Sequence, residues 1–170
     1  SFSEFDDVRI AFAKQGFDGN SAAIKHFGLS KTPWHSEDEI PYPDVQNTMA
    51  ALREKSYQLG IIANQKPGIA ERLETWGLRL FFDVIASSAE IGYAKPDKTI
   101  FENALKLANC TADESVMVGD RLDNDIIPAK ALGMKTVWLK NGLAKYQSSE
   151  LGEGFADYQI SSLTELLQIL

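Results

Sequence analysis

The stretch from Val116 to Leu139 constrains the fold of this chain more than any other. Val116-Met117-Val118 is an apolar run of strand length, and Gly119-Asp120-Arg121-Leu122-Asp123-Asn124-Asp125 is an acidic turn. An amphipathic helical segment then runs to Leu132, Gly133 stops it, and Lys135 to Leu139 forms a second apolar run. Strand, turn, helix, glycine and strand in that order make a βαβ unit. In open α/β sheets, polar function collects in the crevice beyond the carboxyl ends of the strands. Asp120 stands at such an end, and Asp125 is expected inside the first turn of the helix. Two carboxylates at one strand tip repel each other unless a pKa rises or a divalent cation sits nearby. The competing explanation is that Asp123, Asn124 and Asp125 cap the helix and complement its dipole, but this leaves Asp120 without a role. A calcium loop of the EF-hand type is a poorer match, because Ile126 stands where its glycine would be.

The same alternation continues on either side. Asp44 can cap a helix with Val45, Met49 and Leu52 on one face, followed by the strand Leu59-Gly60-Ile61-Ile62-Ala63. Pro67 lies near the start of the next helix, with Ile69, Leu73 and Trp76 as its apolar face and Gly77 as its stop. A strand around Phe82–Ala86 leads to a polar loop ending in Lys95-Pro96, and Ile100, Phe101, Ala104, Leu105 and Ala108 mark a helix packed on the sheet. Tyr158–Ile160 and the closing leucines give a last strand and helix. The expected fold class is α/β, a doubly wound, Rossmann-like parallel sheet with strands near 59–63, 82–86, 115–119, 135–139 and 157–160. Its strand tips would align Asn64, Ser87, Ser88, Lys95, Asp120 and Asp125 along one edge.

Residues 1–40 have a different rhythm. Phe5, Val8 and Phe12, then Ala23, Ile24 and Phe27, suggest two short helices broken at Gly16–Asn20, with Pro41-Tyr42-Pro43 as the linker to the α/β part at 41–170. His26 and His35 lie here without a cysteine or carboxylate pattern, so a metal site between them is not expected.

At 170 residues the chain is long enough for a substantial core. Its net charge of −7 and lack of a basic stripe argue against nucleic acid or anionic membrane as a partner. The single cysteine, Cys110, cannot form an internal disulfide and is expected to pack rather than react. No apolar stretch approaches the roughly 20 residues that span a bilayer. These features together suggest a cytoplasmic protein.

Lys95-Pro96-Asp97, then Val118-Gly119-Asp120 through Asp125, then Gly133-Met134 through Trp138 resemble the haloacid dehalogenase superfamily, in particular its phosphatase-like members. The resemblance implies Mg²⁺-dependent hydrolysis of a small phosphorylated metabolite. An aspartate at the tip of the first strand attacks phosphorus, and a second aspartate two residues on serves as acid and base. Carried over, Lys95 is the lysine that neutralises charge on nucleophile and phosphoryl group, Asp120 the magnesium ligand, and Asp125 its supporting acidic partner. Phosphoryl transfer is mostly positioning and charge stabilisation, which one lysine and one hard cation supply.

Two positions depart from the pattern. Ala63 stands where the family has Ser or Thr, leaving the Asn64 amide as the remaining phosphate donor. No apolar strand ending in Asp-x-Asp-x-Thr occurs; Asp6-Asp7 is adjacent rather than alternate and lies in a helical pattern. In the strand order 3-2-1-4-5-6 the nucleophile strand is central, between the strand ending at Ala63 and the one ending near Gly119. Its loss would leave two edges unpaired, so the chain is expected to be the remainder of a longer protein, with residues 1–40 a partial helical cap and 41–170 a core lacking its first strand. Direct pairing of the flanking strands, or filling of the slot by a neighbouring molecule, is the alternative. A catalytically inactive metal- or partner-binding module is the rival function. A phosphoacceptor receiver domain would place its lysine after the acidic pair, the reverse of the order here.

Overall fold

The computed structural model describes residues 1–13, 15, 19–30, 39–142, 144 and 152–170. Pro33, Trp34, His35 and part of the break at 16–20 lie outside the described residues. Helices α1 (Phe2–Ala13) and α2 (Gly19–His26) come first, then α3 (Val45–Glu54), β1 (Gly60–Ala63) and α4 (Ile69–Thr75). Strand β2 (Val84–Ser87), the single turn α5 (Ser88–Ile91), α6 (Lys98–Ala108) and β3 (Val116–Gly119) follow. A π-helical turn over Leu122–Ile126 runs into α7 (Ile127–Ala131), and β4 (Lys135–Leu139), β5 (Tyr158–Ile160) and α8 (Leu166–Ile169) complete the order. Every expected strand forms, within two residues of its expected limits.

All strand pairs are parallel, but they form two separate sheets, β1-β2 and β3-β4-β5. The flanking strands β1 and β3 therefore do not close up and pair. Helices on both faces hold the halves together instead. Ile100, Phe101 and Ala104 of α6 pack with Ala86 of β2 and Met117 of β3 in one apolar cluster. On the opposite face Met49 and Leu52 of α3 join Val137, Leu139, Ile160 and Leu166, with Leu59 and Phe82 packed against them. Between β1 and β3 lies a cavity of about 580 Å³, walled by Gly60, Ile61 and Ile62 on one side and by Val116, Met117 and Val118 on the other. Among the described residues, no backbone hydrogen bond crosses it between the two strands.

Several local expectations change. Asp44 does not cap α3 through its side chain; its carboxylate accepts from Thr164 N at 3.0 Å and Thr164 Oγ1 at 3.2 Å, tying α3 to the turn Leu163–Glu165 just before α8. Pro67 lies near the start of α4, with Gly68 turning the chain through a left-handed conformation (φ 96°) between them. Asp97, directly after Pro96, caps α6, its carboxylate accepting from Thr99 N at 2.8 Å. The buried positions of α1 are Asp6, Ile10 and Ala13, whereas Phe5, Val8 and Phe12 are only half-buried.

Candidate active site

The tips of β1 and β3 meet through one residue, Lys95. Its backbone N–H donates to Asn64 Oδ1 just beyond β1, at 2.6 Å, and its Nζ donates to Asp125 Oδ1 beyond β3, also at 2.6 Å. The second Asp125 oxygen accepts from Arg121 N at 3.1 Å. Asp125 comes this close to the strand end only because residue 119 is glycine: a Cβ there would lie 2.3 Å from the Asp125 Cβ. Lys95, Gly119, Asp120 and Asp125 line one end of the cavity between the half-sheets.

The acidic turn is not a helix start capped by its own carboxylates. Residues 122–126 wind as a π-turn, and neither this turn nor α7 has a side-chain cap. Asp123, 1% exposed, is instead held by arginines. Arg121 Nε and Nη2 reach its two oxygens at 3.1 and 2.5 Å, and Arg9 Nε of α1 lies 3.6 Å from Oδ1. Arg9 Nη2 is paired in turn with the buried Asp6 carboxylate at 2.7 Å. Asp6, Arg9, Asp123 and Arg121 thus alternate in sign along a ladder that is buried at its two carboxylates and part-exposed at Arg121, while Ile10 of α1 packs against Leu122 and Ile126 beside it. The ladder anchors α1 to the acidic turn. Arg9→Met should lower stability by about 3 kcal/mol, measured by urea unfolding, because removing one partner leaves buried charge uncompensated. Adding Asp6→Asn to that variant should restore part of the loss.

The charges divide accordingly. Asp123 faces two guanidinium groups and Asp125 an ammonium, but no ion pair to the Asp120 carboxylate exists among the described residues. Burial and then the neighbouring Asp125 push the Asp120 pKa up, and the charges of Arg121 and Lys95 only partly offset this. Burial, followed by Asp120 and Asp44, also raises the Tyr42 hydroxyl, which lines the same cavity. A hard divalent cation suits this donor set, since magnesium is commonly held by one or two carboxylates and keeps much of its water. No group of three or more His, Cys, Asp or Glu side chains that could form a closed metal cage exists among the described residues. His26 ends α2 with its ring edge-on to Phe27.

Asn64, Lys95, Asp120 and Asp125 are therefore gathered at the strand tips, as expected. Ser88 bonds the main chain of Gln65 instead of facing this mouth, with Gln65 N donating to Ser88 Oγ at 3.1 Å and Ser88 Oγ donating to Gln65 O at 3.3 Å. The partnership of Asp123 with Arg9 had no signal in the sequence, since the two stand far apart in the chain. Cys110 sits at the opposite end of the cavity, where burial and the Glu114 charge raise its thiol pKa.

Residues 13–139 match the family model of haloacid dehalogenase-like hydrolases. The chain belongs to that family. Similar proteins include a glyceraldehyde 3-phosphate phosphatase of Methanocaldococcus jannaschii, 40% identical over 134 residues, covering 76% of this chain and 56% of the relative. A pyrimidine 5'-nucleotidase, YjjG, of Escherichia coli is 38% identical over 133 residues, again 76% of this chain and 56% of the relative. The crystal structure of a HAD phosphatase from Thermococcus onnurineus superposes with a TM-score of 0.69 at 27% identity, covering 97% of this chain and 87% of that one. This haloacid dehalogenase-like chain spans a little over half the length of the curated relatives it matches.

Proposed function

We propose that this chain supplies the lysine and the acidic loop of a cytoplasmic, Mg²⁺-dependent phosphomonoester hydrolase acting on a small phosphorylated metabolite. The observation that carries the reading is the Lys95–Asp125 pair at 2.6 Å beside the unpaired, part-buried Asp120, at the mouth of the cavity. Relatives named for glyceraldehyde 3-phosphate and for ribulose 1,5-bisphosphate support a small phosphate ester as substrate.

In this reading Lys95 neutralises charge on the phosphoryl group, and the Asn64 amide, which donates one N–H to Lys95 O, has a second for a phosphoryl oxygen. Asp120, with Asp125 behind it, holds Mg²⁺. When bound, the ion draws charge from the phosphoryl oxygens. The slot between β1 and β3 takes a parallel strand ending in the nucleophilic aspartate, the first strand that this family's pattern requires. The aspartate oxygen attacks phosphorus as the ester oxygen leaves, and water then releases phosphate and regenerates the carboxylate. Residues 1–40 act as part of a helical cap fixed to the acidic turn through Arg9, and residues 41–170 as the core without its first strand.

Turnover of a generic phosphomonoester tests the reading. The 170-residue chain with Mg²⁺ should show none, and turnover should appear once an Asp-tipped strand fills the slot. Robust activity of the chain alone would contradict it. One observation favours a second reading, a catalytically inactive metal- or partner-binding module: Ala63 places no hydroxyl at the tip of β1. A filled slot that binds Mg²⁺ but hydrolyses nothing would support the second reading.

A further inference from the structure

We propose that Asn64 is a positioning residue for Lys95, beyond any contact it makes with phosphate. Its side chain meets the Lys95 main chain as one strand meets another: Nδ2 donates to Lys95 O at 2.7 Å, and Lys95 N donates to Oδ1 at 2.6 Å. A primary amide on a short stem offers a donor and an acceptor on separate atoms at that spacing; an ionised carboxylate can only accept. Asn64 itself is fixed, because the adjoining Gln65 main chain is bonded to Ser88 through both its N–H and its carbonyl.

Lys95 is thus held at both ends, by Asn64 at its backbone and by Asp125 at its ammonium. This matters because β1 and β3 share no ladder, so nothing in the sheet sets the distance from the tip of β1 to the acidic turn. A lysine has a long, flexible stem, and with an unfixed backbone its ammonium would sample many positions. The Asn64 clamp restricts that sampling and places Nζ on Asp125. The functional consequence rests on Lys95 being the phosphoryl lysine; the clamp does not.

The test is NMR on the isotope-labelled chain, following the Lys95 backbone amide and ammonium in Asn64→Ala and Asn64→Asp. In Asn64→Ala, Lys95 amide exchange should quicken about tenfold or more, and the ammonium signal should move toward that of a solvated lysine. In Asn64→Asp the same should hold at neutral pH, since a carboxylate can only accept and would face Lys95 O. Below the titration of the introduced carboxyl, the protonated group can donate again, and the ammonium signal should return toward that of the unaltered chain at the same pH. A residue that merely shapes the turn would lower the thermal midpoint without moving the ammonium signal, so an unchanged signal in both variants overturns the proposal. Titrating inorganic phosphate into the Mg²⁺-containing, unaltered chain separates the two claims. Failure of phosphate to perturb Lys95 would count against the hydrolase reading and leave the clamp standing.

Discussion

A synthetic peptide with an apolar run of five residues followed by Asp-x-Asp-x-Thr is expected to raise the melting temperature of this chain by roughly 5–10 °C when present at about a hundred times its Kd. The size follows from linkage, because saturation to that degree adds about 2.7 kcal/mol to the native state. The direction follows from the split sheet. Strands β1 and β3 each present an unpaired edge to a cavity lined largely by apolar side chains, so an inserted parallel strand gains hydrogen bonds on both sides and buries its own apolar residues. A proline in the middle of the run removes a donor needed on one edge and should abolish the effect. An equal shift with the proline peptide would show that the cavity takes apolar material without pairing it. With the Asp-tipped peptide and Mg²⁺ together, hydrolysis of a generic phosphomonoester is expected; with the peptide's first Asp replaced by Asn it is not.

Asp120→Asn should produce opposite effects on stability and on cation binding. Burial and Asp125 raise the Asp120 pKa above its unfolded value, so the native state retains a proton that the unfolded chain has released. The stability contributed by this group is fully present below the ordinary carboxylate range and is lost as pH rises through the folded pKa. At neutral pH the variant removes that penalty, and the melting temperature of the cation-free protein should rise by about 2–4 °C. Mg²⁺ affinity, read by calorimetry, should fall at least about tenfold, the effect of losing a ligating charge. In the unaltered chain, Mg²⁺ affinity should weaken as pH drops toward the carboxylate range, because protons compete for Asp120. Higher melting temperature together with undiminished Mg²⁺ binding would place the cation elsewhere.

The strands and their tips were legible because apolar runs of four or five residues, separated by helix-period segments, leave little choice but a parallel α/β sheet. The gathering of Asn64, Lys95, Asp120 and Asp125 followed from that topology alone. The buried face of α1 was not legible. Asp6 occupies a core position on it, and a charged residue at a core position looks like a surface residue until its partner is known. The role of Asp123 was hidden for the same reason: beside a helix start a cap was the competing explanation, and its pairing with Arg121 and with Arg9, more than a hundred residues earlier in the sequence, makes it the centre of a charge ladder. The π-turn was hidden too, since Leu122 and Ile126 satisfy a helical apolar pattern whether the turn closes at four residues or five. The splitting of the sheet was foreseeable from the strand order, but the absence of direct β1–β3 pairing was decided by the helices that bridge the halves.

Trp138 lies on β4 with no exposed surface, its ring against Gly152, where any Cβ would come within 2.5 Å, and its indole N–H on the Asp120 carbonyl at 2.9 Å. The Lys140 ammonium stands 5.3 Å from the ring centre. The chromophore is therefore wired by a single hydrogen bond to Asp120, the carboxylate whose pKa burial and Asp125 raise. Its emission should start at the short wavelengths of a dry environment and shift whenever Asp120 gains a proton or a cation, while the half-buried Trp76 stays silent. The chain carries its own optical gauge of the site, readable in a background with both Trp34→Phe and Trp76→Phe, without any substrate.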